Sequence, residues 1–154
     1  NVYGKEHLLN EGSQQRKMMY NHADAKDYIW DDNHKFRVIG TYEVDFLNHL
    51  KSLDWSPEDI LAPAPMDIHY KWGDGTQHLY IPDFVLISLN LIVEIKQGGF
   101  NDSFMEHNRD IEHRKDQAVK IFCKNNNMHY IKILDKNYEE FDRDYVKSDN
   151  NSPE

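Results

Sequence analysis

The chain has 154 residues, of which 39% are hydrophobic and 29% charged, and its net charge is −9 from 18 basic and 27 acidic side chains. This length fits one domain with one hydrophobic core, and no run approaches the roughly 18 apolar residues of a membrane span, so no membrane partner is expected. The single cysteine, Cys123, excludes an intramolecular disulfide framework and predicts a reducing, cytoplasmic location.

The first part of the chain is predicted to be helical. Residues 14–28 carry a weak apolar stripe at helical spacing, and the polar stretch 30–36 predicts a turn, which together define an N-terminal helical arm over residues 1–35. Residues 41–53 form a clearer amphipathic helix. Its apolar side is made of Tyr42, Phe46, Leu47, Leu50 and Leu53.

Strands and one long helix follow. Alternation of apolar and polar residues predicts a strand at 66–72, and the turn signal Gly73-Asp74-Gly75 predicts a returning strand at 77–81. Residues 84–87 continue extended, the apolar run 91–95 predicts a buried strand, and 128–134 is the last strand. A helix over 105–126 is predicted to turn five apolar residues inward, namely Ile111, Ala118, Val119, Ile121 and Phe122. The order predicts an α/β domain over residues 36–146, with a mixed central sheet flanked by helices, and a disordered tail over 147–154.

Two carboxylates in this order of elements carry the strongest chemical signal. Asp83 ends one strand pattern, and Glu94 stands inside the apolar run Leu-Ile-Val-Glu-Ile, where an unpartnered carboxylate is costly. Glu94 and Lys96 are two residues apart, so both project from one face of the strand. A bound Mg²⁺ would account for both acids. In the alternative interpretation, Asp83 caps a turn, and Glu94 and Lys96 form an exposed pair on an edge strand.

These residues resemble a known motif. Tyr80-Ile81-Pro82-Asp83-Phe84, followed after ten residues by Glu94-Ile95-Lys96, is similar to the signature of the PD-(D/E)XK nucleases, which share the restriction-endonuclease-like fold. A preceding helix, a hairpin with the Asp, a strand with Glu-X-Lys, a helix and a last strand also follow the order of that family. The amino-acid sequence of residues 88–99 looks most like those of phage-encoded nucleases, including homing-endonuclease-like proteins and relatives of the mismatch-repair nicking enzyme Vsr.

The resemblance implies a divalent-metal-dependent DNA endonuclease, encoded by a phage or another mobile element and active in the host cytoplasm. Asp83, Glu94 and the Ile95 carbonyl would bind Mg²⁺ or Mn²⁺, and Lys96 would position or polarise the attacking water. Glu43, on the helix before the hairpin, would bind the metal directly or through water. The alternative for Glu43 is a surface helix acid.

The helix over 105–126 is the only basic part of the chain, and in this fold the equivalent helix often faces DNA. The candidate DNA-binding residues are Arg109, Arg114, Lys115, Gln117 and Lys120. The alternative is a solvated helix face, because residues 105–134 have an excess of only two positive charges. A homodimer or a missing DNA-binding domain would then supply affinity. Two further functions stay open, which are a non-cleaving nuclease-fold module of a larger assembly and an acidic protein-interaction domain.

Overall fold

Four helices and eight strands form the part of the chain that the computed structural model describes, which is residues 14–21, 24–98 and 105–146. The helices are α1 (Gln14–Tyr20), α2 (Thr41–Ser52), α3 (Met105–Asn126) and α4 (Glu139–Tyr145). The strands are β1 (Ala25–Asp31), β2 (His34–Ile39), β3 (Ile60–Leu61), β4 (Ile68–Lys71), β5 (Gln77–Tyr80), β6 (Phe84–Leu86), β7 (Leu91–Lys96) and β8 (His129–Leu134). The fold is therefore of the mixed α/β class expected from the sequence.

A four-stranded mixed sheet lies at the centre, in the order β3-β6-β7-β8. β6 is antiparallel to both β3 and β7, whereas β7 and β8 are parallel and are connected through α3. Two antiparallel hairpins, β1–β2 and β4–β5, pair only within themselves among the described strands. The crossover through a helix is the connection that parallel neighbours require.

Alternation along β7 separates two hydrophobic clusters. Leu91, Val93 and Ile95 face the cluster formed with α2, α4 and the β1–β2 hairpin. Ile92 faces the opposite cluster, which contains residues of α3 and of the β4–β5 hairpin. Because strand side chains alternate between faces, Glu94 falls on the α3 side, where the apolar cluster gives way to charged groups.

The N-terminal arm differs from the sequence prediction. The first helix ends at Tyr20, and Ala25–Ile39 is a hairpin in which Tyr28 is the partner of Phe36. The predicted helix over 14–28 is therefore correct only as far as Tyr20, and most of the predicted turn over 30–36 belongs to the two strands of the hairpin. Residues 1–13 of the predicted arm lie outside the described part of the chain. Packing decided the outcome, because Trp30 and Phe36 bury their rings against the core in an edge-to-face contact.

Smaller differences lie at the edges of the fold. The short strand β3 and the terminal helix α4 had no counterpart in the prediction, although Phe141 of α4 is fully buried. Ile121 is 61% exposed and does not face inward, because it lies to one side of the buried stripe of α3. The predicted disordered tail over 147–154 lies outside the described residues.

Candidate active site

Asp83 and Glu94 lie at the same end of the β6–β7 pair. The pairing of β6 with β7 ends with Phe84 opposite Val93, and Asp83 and Glu94 are the residues next to that last pair. Asp83 Oδ2 accepts a hydrogen bond of 2.8 Å from the Ile95 backbone N–H, which links it to β7 beside Glu94. Neighbouring like charges weaken a sheet, so this arrangement points to a role other than stability.

Glu94 is buried and Asp83 is partly buried beside it. Glu94 is only 8% exposed, and its Oε1 accepts a hydrogen bond of 2.6 Å from the Tyr80 hydroxyl. Burial raises the pKa of Asp83 well above its usual range, and the charges of Glu94 and Glu43 raise it further. Burial also raises the pKa of Glu94, although its hydrogen bond from Tyr80 and the charge of Lys115 oppose this shift. Both shifts favour the protonated forms, so the pair is costly to ionise without a cation.

Glu43 lies at the same end of the sheet, in the first turn of α2. Burial raises the pKa of Glu43 to about 7, and the charge of Glu94 adds to the shift. Its carboxylate folds back over the start of the helix, where a Cβ on Gly40 would come within 3.3 Å of Glu43 Oε1. Glu43 therefore joins the acidic pair electrostatically, whereas Asp83 is bound directly to the backbone of β7 next to Glu94.

The helix α1 covers part of this acidic end. Arg16 donates to Asp67 Oδ1 at 2.8 Å and to the carbonyl oxygens of Ala64 and Met66 at 2.6 and 2.7 Å. Burial raises the pKa of Tyr20 at the end of this helix, and the charge of Asp83 raises it further. The N-terminal helix is thus fixed against the segment that leads into the hairpin.

Lys96 is held by a carboxylate of α3. Its Nζ lies 2.7 Å from Glu112 Oε1, and Lys115 Nζ lies 3.3 Å from the same oxygen. The other oxygen of Glu112 accepts from Lys132 at 3.0 Å. Lys132 also donates to Asp116 at 2.9 Å, so a ladder of charges joins β7 and β8 to α3.

The five candidate DNA-binding residues do not share one surface. Arg109, Gln117 and Lys120 are exposed on α3. Arg114 is half-buried and pairs with Asp110 at 2.9 Å. Lys115 lies on the buried side of the helix, with its ammonium 5.2 Å from the centre of the Tyr80 ring. Lys115 therefore lies beside the acidic pair, which contradicts the alternative of a solvated helix face for this residue.

The acidic pair suits a cation such as Mg²⁺, which keeps bound water, better than a cation that takes all of its ligands from the protein. No group of three or more His, Cys, Asp or Glu side chains that could hold a metal occurs among the described residues. Mg²⁺ needs only one or two carboxylates, because it keeps several waters and takes phosphate oxygens as further ligands. The Asp83–Glu94 pair offers that set, and a cation would offset the negative charge whose burial raises the pKa of both groups.

Three side chains of the candidate site are not predicted from the sequence, namely Tyr80, Glu112 and Lys132. Tyr80 lies within the motif and donates to the buried Glu94 carboxylate. The signal for Glu112 was present, because a Glu three residues before Lys115 stands beside the apolar stripe of α3. Lys132 carried no such signal, since its pairing with α3 depends on the parallel neighbour of β7.

Comparison of the chain with protein-family models, with curated proteins and with solved structures gives no match. Within the described part of the chain, none of the helices combines the length and the apolar character needed to cross a bilayer.

Proposed function

We propose that the protein is a divalent-metal-dependent endonuclease that hydrolyses phosphodiester bonds of DNA, built on a restriction-endonuclease-like core. The observation that carries the proposal is the hydrogen bond from the Ile95 N–H to Asp83, which holds Asp83 against β7 beside the buried Glu94, with Lys96 two residues further on the same face as Glu94. A buried pair of acids beside a lysine is unfavourable for folding and suited to binding a metal and a phosphate. The order of α2, the β4–β5 hairpin, β7, α3 and β8 supports the same core.

In the reaction, a water oxygen forms a bond to phosphorus while one ester P–O bond breaks, leaving a phosphomonoester on one strand end and a hydroxyl on the other. Asp83 and Glu94, with the Ile95 carbonyl, would hold Mg²⁺ or Mn²⁺, and Glu43 would contribute directly or through water. The metal would supply Lewis acidity at the phosphate and lower the pKa of a bound water. Lys96 would orient the attacking water and offset the charge that develops on the phosphate oxygens.

A groove beside Lys96 offers a path for a nucleic acid strand. Its volume is about 480 Å³, and it runs between the end of β7 and α3. Arg109 and His113 lie on its α3 wall, and Lys132 lies on the β8 side. Phosphate contacts of this kind would position a strand without specifying its sequence. A second subunit or a further domain would supply specificity, and a mobile-element origin accords with the resemblance noted above.

The test is cleavage of supercoiled plasmid with Mg²⁺, with Mn²⁺ and with EDTA, at low salt. Wild type and four variants are compared, namely Glu94→Gln, Lys96→Gln, and the control substitutions Glu58→Gln and Lys71→Gln on exposed positions. We expect nicking or linearisation that requires the metal, that both site variants lack and that both controls retain. Removal of charges that act on the transition state lowers kcat by orders of magnitude.

Three outcomes would overturn the proposal. Folded wild type that cuts no supercoiled, branched or mismatched DNA with either metal would favour a non-cleaving nuclease-fold module. Cleavage that survives EDTA, or that Glu94→Gln retains, would place the activity elsewhere. Binding of a basic protein partner that persists in the site variants would favour an acidic protein-interaction domain.

A further inference from the structure

Glu112 is the centre of the charged ladder on α3. Its Oε1 contacts the Lys96 and Lys115 ammonium groups at 2.7 and 3.3 Å, whereas its Oε2 accepts from Lys132 at 3.0 Å. The Glu112 side chain is only 20% exposed, so its two oxygens have little access to water. One oxygen therefore serves the lysines near the acidic pair, and the other ties the helix to β8.

Lys115 approaches the acidic pair from α3, whereas Lys96 belongs to β7. Its ammonium lies over the Tyr80 ring, and the hydroxyl of that ring donates to Glu94 Oε1. The pair Glu112–Lys115 has the i,i+3 spacing that brings side chains together on a helix, whereas Lys96 arrives from β7. One carboxylate oxygen of α3 thus collects two cations from two different elements.

We propose that Glu112 is a positioning residue that fixes two ammonium groups, Lys96 and Lys115, beside the Asp83–Glu94 pair, so that the site presents two lysines to the scissile phosphate. This inference rests on the proposed hydrolysis of phosphodiesters. Lysine side chains have four rotatable bonds and lose little mobility without a partner. Glu112 would restrict both ammonium groups before the substrate binds, so less entropy would be lost when the transition state is reached.

The decisive variant is Glu112→Gln, which keeps the shape of the side chain and removes its charge. Its matched control is Asp116→Asn on the same helix, because Asp116 contacts Lys132 and Tyr130 but neither of the two site lysines. The first measurement is ¹⁵N relaxation of the lysine NH₃⁺ groups in the full chain, which needs no activity. We expect Glu112→Gln to raise the mobility of the Lys96 and Lys115 ammonium groups and Asp116→Asn to leave both unchanged.

The second measurement is steady-state cleavage of a DNA duplex with Mg²⁺. Loss of a group that orients a functional residue typically lowers activity about 10- to 100-fold, and we expect Glu112→Gln to do so in kcat with KM within about 3-fold of wild type. Lys115→Met keeps the alkyl stem over Tyr80 and removes the ammonium, so its kcat should also fall about 10-fold. Thermal melting confirms that each variant is folded.

Three results would overturn the inference. Glu112→Gln with lysines as rigid as in wild type would show that Glu112 does not position them. If Glu112→Gln made the Lys96 and Lys115 ammonium groups mobile but left kcat unchanged, the contacts of Glu112 would have only a structural role. A Lys115→Met variant as fast as wild type would show the same. Wild type without any cleavage would defeat the proposed function and this role with it, and the relaxation data would show separately whether Glu112 holds the lysines.

Discussion

The Tyr80 hydroxyl donates a hydrogen bond of 2.6 Å to Glu94 Oε1, the one charged side chain among the buried residues of the described chain. The donor comes from the end of the β4–β5 hairpin and the acceptor from the middle strand of the sheet. The hairpin is thereby tied to the candidate site by a polar contact as well as by the apolar packing of Ile68.

Tyr80→Phe should lower the free energy of unfolding by about 1.5 kcal/mol at neutral pH, because a buried carboxylate then loses its hydroxyl donor. Urea denaturation without added metal measures the change. Tyr42→Phe is the matched control, since the Tyr42 ring faces the Lys136 ammonium and not a carboxylate, and it should change stability by less than about 0.5 kcal/mol. Equal stability of Tyr80→Phe and wild type would contradict the prediction.

The central elements could be predicted because their sequence patterns are local. The predicted strand over 91–95 is present and extends one residue further to Lys96, and the helix over 105–126 has the predicted bounds. The same local pattern identifies Asp83, Glu94 and Lys96, because a charged residue in an apolar strand is visible without tertiary information. The antiparallel pairing of β6 with β7 brings Asp83, which precedes β6, next to β7.

The rest depends on contacts between distant segments. The β1–β2 hairpin is stable because Trp30 and Phe36 pack against a core that later elements complete, whereas the helical stripe of residues 14–28 was only locally plausible. The inward position of Lys115 has the same origin. Lys115 can lie among apolar neighbours of α3 because the negative charges of Glu112 on the helix and of Glu94 on β7 stabilise its ammonium group. Glu94 is 21 residues away from Lys115 in the sequence, so no local pattern shows this interaction.

Phe36→Ala tests the corrected N-terminal region. Phe36 is 7% exposed and meets Trp30 edge to face with ring centres 6.1 Å apart. Its truncation should lower the free energy of unfolding by about 3 kcal/mol, as expected for a large ring in a core. Ile29→Ala, in the same hairpin at a position 62% exposed, should cost less than about 0.5 kcal/mol. Similar costs at both positions by urea denaturation would contradict the hairpin.

Asp83→Asn tests the clustering of negative charge. Burial and the charges of Glu94 and Glu43 raise the pKa of Asp83, so its ionised form opposes folding at neutral pH. Asparagine can still accept from the Ile95 N–H, and in EDTA the melting temperature of the variant should rise by about 4 °C.

The same variant separates charge relief from metal binding. Mg²⁺ should raise the melting temperature of wild type, because a ligand of the folded state stabilises it, and should leave Asp83→Asn unchanged. Asp54→Asn is the control at an exposed position and should follow wild type with and without metal. An equal response of Asp83→Asn and wild type to Mg²⁺ would remove Asp83 from the metal site.

The free energy of unfolding at acid pH should depend on Glu112. Burial alone would raise the pKa of this carboxyl, but the hydrogen bond from Lys96 and the charge of Lys115 prevail and lower it from 4.5 to about 2. Because the pKa is lower in the folded state, its contribution is present above pH 4.5 and is lost as the pH falls through about 2. Glu112→Gln should therefore be less stable than wild type by on the order of 2 kcal/mol at neutral pH, and the difference should shrink as the pH approaches 2.

Urea denaturation across this pH range measures the difference in stability, with Glu106→Gln as an exposed control on the same helix. A gap that stays constant down to the acid limit would mean that Glu112 acts through packing and not through its charge.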